Sequence, residues 1–96
     1  MSSTVSLIVD AAITRLEALD AVARAAHATV SDPGTSSAHV MLAEGAVAVV
    51  EIPKFGEAPP LAIDVTAAGE AEARTAADRL LAELHLATEW SITRLG

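Results

Sequence analysis

Apolar residues recur every three or four positions over residues 4–30, and polar residues fall between them. This spacing is typical of an amphipathic helix that packs one stripe against a core. A second interpretation fits the same stretch, because the apolar residues of 4–9 also alternate as in a strand, and Thr14 and Glu17 have the spacing of a helix capping box. We expect one long helix over 4–30, with a strand at 4–9 followed by a helix at 15–28 as the alternative.

The middle of the chain has the pattern of an antiparallel meander. Two β-rich runs within residues 39–52 flank Glu44-Gly45, and a glycine supplies the positive φ that a two-residue hairpin turn requires. Glutamate is not the favoured partner of glycine in such a turn, so a longer loop is the alternative. The proline-rich residues 53–60 then connect the hairpin to a third strand at 61–65.

Residues 70–85 carry a helical apolar stripe, with acidic residues in the first turn and His85 in the last, where the helix dipole favours them. A short final strand follows at 88–95. Residues 1–96 are therefore predicted to form a single two-layer α+β domain with an N-terminal helix, a three-stranded antiparallel meander, a second helix and a short C-terminal strand. With residues 4–9 as an extra strand, the order resembles the ferredoxin-like arrangement.

Composition and charge exclude several classes of partner. Thirteen acidic residues against six basic ones give a net charge of −7, and Lys54 is the only lysine. Because nucleic acids and anionic membranes attract clustered cations, we expect neither as a partner. No apolar run reaches the length of a membrane-spanning helix, the N-terminus lacks the basic region of a signal peptide, and the chain has no cysteine, so we expect a cytoplasmic protein.

The residue types that commonly carry chemistry do not have the spacing of catalytic or metal sites. His27, His39 and His85 are 12 and 46 residues apart, which does not match the short spacings of zinc ligands. The five glycines form no phosphate-binding loop, and no serine lies in a nucleophile elbow. Glu51 and Asp64 are expected at solvent-facing strand positions rather than in a shared cleft. We therefore expect no enzymatic activity, no cofactor and no metal.

The segment 53–60 is the most distinctive local feature. Lys54, Phe55 and Glu57 lie in it, Phe55 is the only phenylalanine, and the flanking prolines stiffen the backbone. A stiff loop that presents an aromatic side chain loses little entropy on binding, so these three residues are a candidate partner contact. The competing interpretation is that Phe55 folds back and completes the core. The sequence favours a small acidic non-catalytic protein-binding module: an adaptor, an inhibitor, an immunity-type protein or a regulatory subunit.

Both faces of the hairpin at 39–52 carry apolar residues, whereas a sheet with helices on one side normally has one polar face. We expect another copy of the chain to cover the second face, in a homodimer whose contact surface is formed by Met41, Ala46, Ala48 and Val50. The competing arrangement is a monomer with one helix on each face. The alternative function is a ferredoxin-like regulatory domain that binds a small molecule in a pocket at the dimer interface.

Overall fold

A computed structural model of the chain describes residues 2–11, 13–32, 35, 38–42, 45–51 and 61–95. These residues form six strands and two helices, which are β1 (Ser3–Asp10), α1 (Arg15–Ala25), β2 (Val30–Ser31), β3 (His39–Met41), β4 (Val47–Glu51), β5 (Leu61–Ala67), α2 (Glu70–Ala87) and β6 (Ser91–Leu95). The molecule is a small α+β domain that contains more sheet than the sequence led us to expect. Neither helix within these ranges is long and apolar enough to cross a membrane.

All six strands belong to one antiparallel sheet with the order β2-β3-β4-β5-β1-β6. β1 lies inside the sheet, paired with β5 on one side and with β6 on the other, so Leu7 is opposite both Ile63 and Arg94. Both neighbours of the first strand therefore come from the second half of the chain, and this part of the sheet depends on long-range pairing.

Both helices pack on the same face of the sheet and bury one hydrophobic cluster against it. Alternate residues of the strands contribute to this cluster, as the two-residue repeat of a strand requires. The largest side chains that are fully buried are Leu7, Val9, Leu19, Val22, Val40, Val50, Ile63, Val65 and Leu84. The arrangement has two layers, and the competing monomer with one helix on each face is wrong.

The expectation of one long helix over residues 4–30 is wrong, and the alternative of a strand followed by a helix describes this region. The alternation of apolar residues at its start belongs to β1, which pairs on both sides. The helix begins where the capping box predicts it, because the Glu17 amide donates to Thr14 Oγ1 and the Thr14 amide donates to Glu17 Oε1, both at 3.1 Å. It ends at Ala25, earlier than expected, because His27 has a φ of 56° that a right-handed helix cannot continue through.

The hairpin turn is one residue longer than the preferred two-residue turn, which is the alternative interpretation of this segment. The Leu42 amide donates to the Ala46 carbonyl at 2.8 Å, and Val40 pairs with Ala48. Gly45 has a φ of 81°, where a side chain would be strained. A two-residue turn would put Val40 on the same face as Val47 and Val49, and the shift of one residue moves these two valines to the opposite face.

This register separates the four residues expected at a dimer interface. Ala46, Ala48 and Val50 are buried in the core beneath the helices, with 2%, 0% and 1% of their surface exposed. Met41 lies on the opposite face and is 48% exposed. The four residues therefore do not form one surface, and the helices of the same chain cover the alanine-rich side of the hairpin.

The second half of the chain agrees with the sequence expectations. α2 confirms the helix expected over 70–85 and continues to Ala87. β5 confirms the third strand, and β6 confirms a short C-terminal strand that begins at Ser91. These elements have strong local signals, and each has one clear apolar pattern.

Candidate functional site

Both helices cover one face of the sheet, and we call the other one the open face. It is formed by the strand residues that alternate with the buried ones: Ser31 on β2; His39 and Met41 on β3; Val47, Val49 and Glu51 on β4; Ala62, Asp64 and Thr66 on β5; Thr4, Ser6, Ile8 and Asp10 on β1; and Ser91, Thr93 and Leu95 on β6. Each of these residues is half-buried or exposed. A partner that approaches the sheet from this side would meet these side chains.

Two cross-strand contacts occupy the centre of the open face. Ser6 Oγ donates a hydrogen bond to Asp64 Oδ1 at 2.7 Å, and the hydroxyl oxygens of Thr4 and Thr66 are hydrogen-bonded at 2.9 Å. The register places the members of each pair directly opposite each other on β1 and β5. Asp64 keeps a second carboxylate oxygen that can accept a hydrogen bond from a partner.

Apolar side chains lie on either side of this polar centre. Val47 and Val49 belong to β4, and Met41 extends the apolar surface to β3 with 48% exposure. Leu95 on β6 lies opposite Ser6 and is 52% exposed. Met41, Val47 and Val49 form one contiguous apolar group on one side of the polar centre, and a group of this kind is a candidate contact surface for another molecule.

The open face is acidic. Asp10, Glu51 and Asp64 contribute three carboxylates to it. Among the described strand residues, no lysine or arginine belongs to this face, because Arg94 lies on the helix side, where its guanidinium contacts the Asp78 carboxylate at 3.3 Å. The face therefore attracts cationic groups and repels anionic ones.

The polar centre lacks the order of a catalytic triad. A serine nucleophile needs an imidazole between its hydroxyl and the carboxylate, whereas Ser6 donates directly to Asp64. His39 is on the same side of the sheet, but Val49 and its strand lie between it and Asp64. Within the described ranges, no three His, Asp or Glu side chains are grouped to hold a metal ion. The arrangement is suited to hydrogen bonding and charge complementarity.

The residues that the sequence predicted to contact a partner do not lie together on the open face. Lys54, Phe55 and Glu57 lie outside the described residues. Met41 is the one member of the expected dimer surface that belongs to the open face. Asp64 is where the strand alternation predicts, on the side of the sheet away from the helices.

Sequence reasoning missed the polar centre. An interpretation of residues 4–30 as a helix places Ser6 on a helix surface with no relation to Asp64. The alternation of polar and apolar residues in β1 is the signal that identifies the position of Ser6. Pairing between β1 and β5, which no local pattern specifies, is what brings the two side chains together.

No protein family model, no curated protein and no solved structure matches the chain. The geometry and charge of the open face are therefore what point to a function.

Proposed function

We propose that this protein is a small acidic protein-binding module without catalytic activity, and that its open face binds a partner surface rich in apolar and basic side chains. The observation that carries this proposal is the composition of the open face, where apolar residues flank a carboxylate and the described strands contribute no lysine or arginine. This role fits an adaptor, an inhibitor, an immunity-type protein or a regulatory subunit.

The carboxylates favour a different protein over a second copy as the occupant. In a twofold homodimer a surface meets itself, so the carboxylates of Asp10, Glu51 and Asp64 would face a surface with the same three carboxylates and no lysine or arginine from the described strands. Like charges brought together away from water cost free energy, whereas an arginine or lysine would form charge-assisted hydrogen bonds there. The net charge of −7 also favours encounter with a basic partner. A basic partner therefore fits the open face better than self-association does.

The size of the face indicates a modest affinity. Strands about 4.8 Å apart, with a rise of about 3.3 Å per residue, give the six-stranded sheet a projected face on the order of 500 Å². Specific, stable interfaces bury about 800 Å² on each partner. We therefore expect a transient contact rather than an obligate complex.

The fold suits this role. β6, β1, β5 and β4, together with both helices, follow the order of a ferredoxin-like domain, and β3 and β2 extend the sheet beyond β4. We propose that the domain is of the ferredoxin-like type. An antiparallel sheet with its helices on one side leaves the other side available to a partner.

The test compares one added carboxylate on each side of the molecule. Val49→Glu places it in the apolar part of the open face, and Thr75→Glu places it on the exposed surface of α2. After chemical crosslinking in its native cells, tagged wild-type protein is expected to carry a partner that Thr75→Glu also carries and Val49→Glu lacks. Binding between the two purified proteins should weaken by at least about tenfold between low and high salt, because screening acts on contacts between opposite charges.

Circular dichroism first establishes that both variants are folded. A partner that Thr75→Glu loses and Val49→Glu keeps would overturn the proposed face. Light scattering measures self-association directly. A wild-type mass about twice the 9.8 kDa of the chain, reduced to the monomer mass by Val49→Glu, would make a second copy the occupant and contradict the basic partner.

A further inference from the structure

A cavity of about 210 Å³ opens on the helix side of the molecule, between the end of α1 and the second half of α2. Its apolar wall is formed by Ala25, Ala26, Leu42 and Leu80. Its polar lining is formed by His27, Arg79 and Glu83. The cavity therefore combines an apolar interior with a cation, an anion and an imidazole, and the sheet separates it from the open face.

Arg79 and Glu83 are one turn apart on α2, yet they do not pair. Glu70 and Arg74 have the same spacing on the same helix, and their side chains form a salt bridge of 2.7 Å. The order of the charges explains the difference, because an acid four residues before a base makes a better helical pair than the reverse. Within the described part of the chain, neither Arg79 nor Glu83 has an ion pair or a side-chain hydrogen bond. Both charged groups are available to a ligand.

His27 lines the cavity in a conformation that glycine normally occupies. Its φ of 56° is left-handed, and the Ala28 amide donates to the Ala23 carbonyl at 2.8 Å, so His27 closes the Schellman motif that ends α1. Any residue with a side chain carries a conformational cost here that glycine avoids. Asp32 has a similar φ of 51° outside the cavity lining, so the left-handed backbone places the His27 side chain at the rim of the cavity and does not by itself mark a binding site.

We infer that this cavity binds an apolar α-amino acid. The carboxylate of the ligand pairs with the Arg79 guanidinium, its ammonium pairs with the Glu83 carboxylate, and its side chain enters the apolar interior beside Leu42 and Leu80. The volume of about 210 Å³ equals that of about seven water molecules at roughly 30 Å³ each. It is therefore suited to a single amino acid and is smaller than a drug-sized pocket.

Ligands with only one charge fit less well. A monocarboxylate would leave Glu83 without a partner next to the new anion, and a simple amine would leave Arg79 unpaired next to the new cation. A zwitterion with both charges on one carbon pairs with both groups at once, and such paired contacts to charged groups are the stronger ones. This site lies within one chain rather than at a dimer interface, and its occupancy is independent of the proposed partner of the open face.

Titration calorimetry on the protein tests the ligand class with three probes of similar shape. L-leucine carries both charges, 4-methylpentanoate lacks the ammonium, and 3-methylbutylamine lacks the carboxylate. We expect leucine to bind with a Kd at least about tenfold lower than either analogue, because each analogue leaves one charged group of the cavity unpaired.

Charge-neutral variants on α2 test the two assigned residues. Arg79→Gln and Glu83→Gln should each weaken leucine binding by at least about tenfold. Arg74→Gln and Glu72→Gln make the same changes of charge on the same helix outside the cavity lining, and they should leave the Kd within about twofold.

Several results would overturn this inference. One is that leucine, methionine and phenylalanine each give no heat of binding and no shift in Tm at about 10 mM, a concentration well above a millimolar Kd. Circular dichroism must show that the protein in this experiment is folded. A second is equal affinity for leucine and 4-methylpentanoate, which would make the cavity a monocarboxylate site. A third is unchanged leucine binding by Arg79→Gln. None of these results concerns the open face. They would therefore contradict the amino-acid site without contradicting the proposed protein-binding function.

Discussion

The two faces of the sheet share the same strands but differ in composition. On β5, the helix-covered face carries Ile63 and Val65 among its apolar residues, all buried, whereas the open face carries Ala62, Asp64 and Thr66. The covered face is restricted to apolar residues because an unpaired polar group there would lose its hydration. The open face has no such restriction from folding, so its composition is free to serve binding.

β4 departs from this contrast, because it carries two valines on its open side in addition to the apolar residues on its covered side. Ala48 and Val50 are buried beneath the helices, and Val47 and Val49 lie half-buried on the open face. Folding of the single chain explains the first pair and does not require the second. The apolar part of the open face is therefore the region whose composition points most directly to a partner.

The largest expected effect on stability comes from a glutamate introduced on each face of β4. Ala48→Glu places a carboxylate in the fully buried core, and we expect a loss of about 4 kcal/mol or more of unfolding free energy, which leaves the chain largely unfolded. Val49→Glu should lose only about 1 kcal/mol, since the carboxylate remains hydrated. Urea unfolding followed by far-ultraviolet circular dichroism measures the unfolding free energy of both variants. Similar losses in the two variants would show that Val49 is buried rather than accessible on the open face.

Neighbouring residues of β1 give a smaller contrast of the same kind. Leu7→Ala removes a fully buried side chain and leaves a cavity, so we expect a loss of about 3 kcal/mol. Ile8→Ala removes a half-buried side chain on the open face and should lose about 1 kcal/mol. The midpoints of urea unfolding compare the two variants. An equal or larger loss for Ile8→Ala would contradict the assignment of the faces.

The smallest expected effect has the opposite sign and concerns the helix layer that makes the two faces different. His27→Gly relieves a left-handed residue, and we expect a gain of about 1 kcal/mol, seen by calorimetry as a rise in Tm of about 4–8 °C. Ala26→Gly is the matched control, because Ala26 has a φ of −88° and glycine brings no relief there. A loss of stability in His27→Gly would show that contacts of the His27 side chain outweigh the conformational cost of its left-handed backbone.

Local signals in the sequence locate most of the regular elements. The second helix, α2, has one clear apolar stripe, and the capping box of Thr14 and Glu17 marks the start of α1 to the residue. Residues 4–9 fit both a helical and a strand pattern at the local level, and the local pattern favours the helix, which is wrong. Pairing of β1 with β5 and β6 resolves this ambiguity, and that pairing lies beyond any local window.

The candidate sites depend even more on long-range contacts. Asp64 is recognisable as a solvent-facing strand residue, but its hydrogen bond with Ser6 requires two strands from opposite halves of the chain. The ligand cavity likewise unites the end of α1, Leu42 after β3 and one side of α2. The left-handed backbone of His27 has no sequence signal, because glycine is the residue that normally marks such a position.

The sequence by itself determined the acidic net charge, the alternation within the strands, the capping box and the second helix, because each follows from residue type and spacing within a few turns of chain. The tertiary structure decided which face of the sheet the helices cover, since the register of the hairpin differs by one residue from the shorter turn. It also decided that Ala46, Ala48 and Val50 belong to the core and that Arg79 and His27 share a cavity. These features arise from contacts between distant segments, whose geometry is set only when the two helices and six strands pack together.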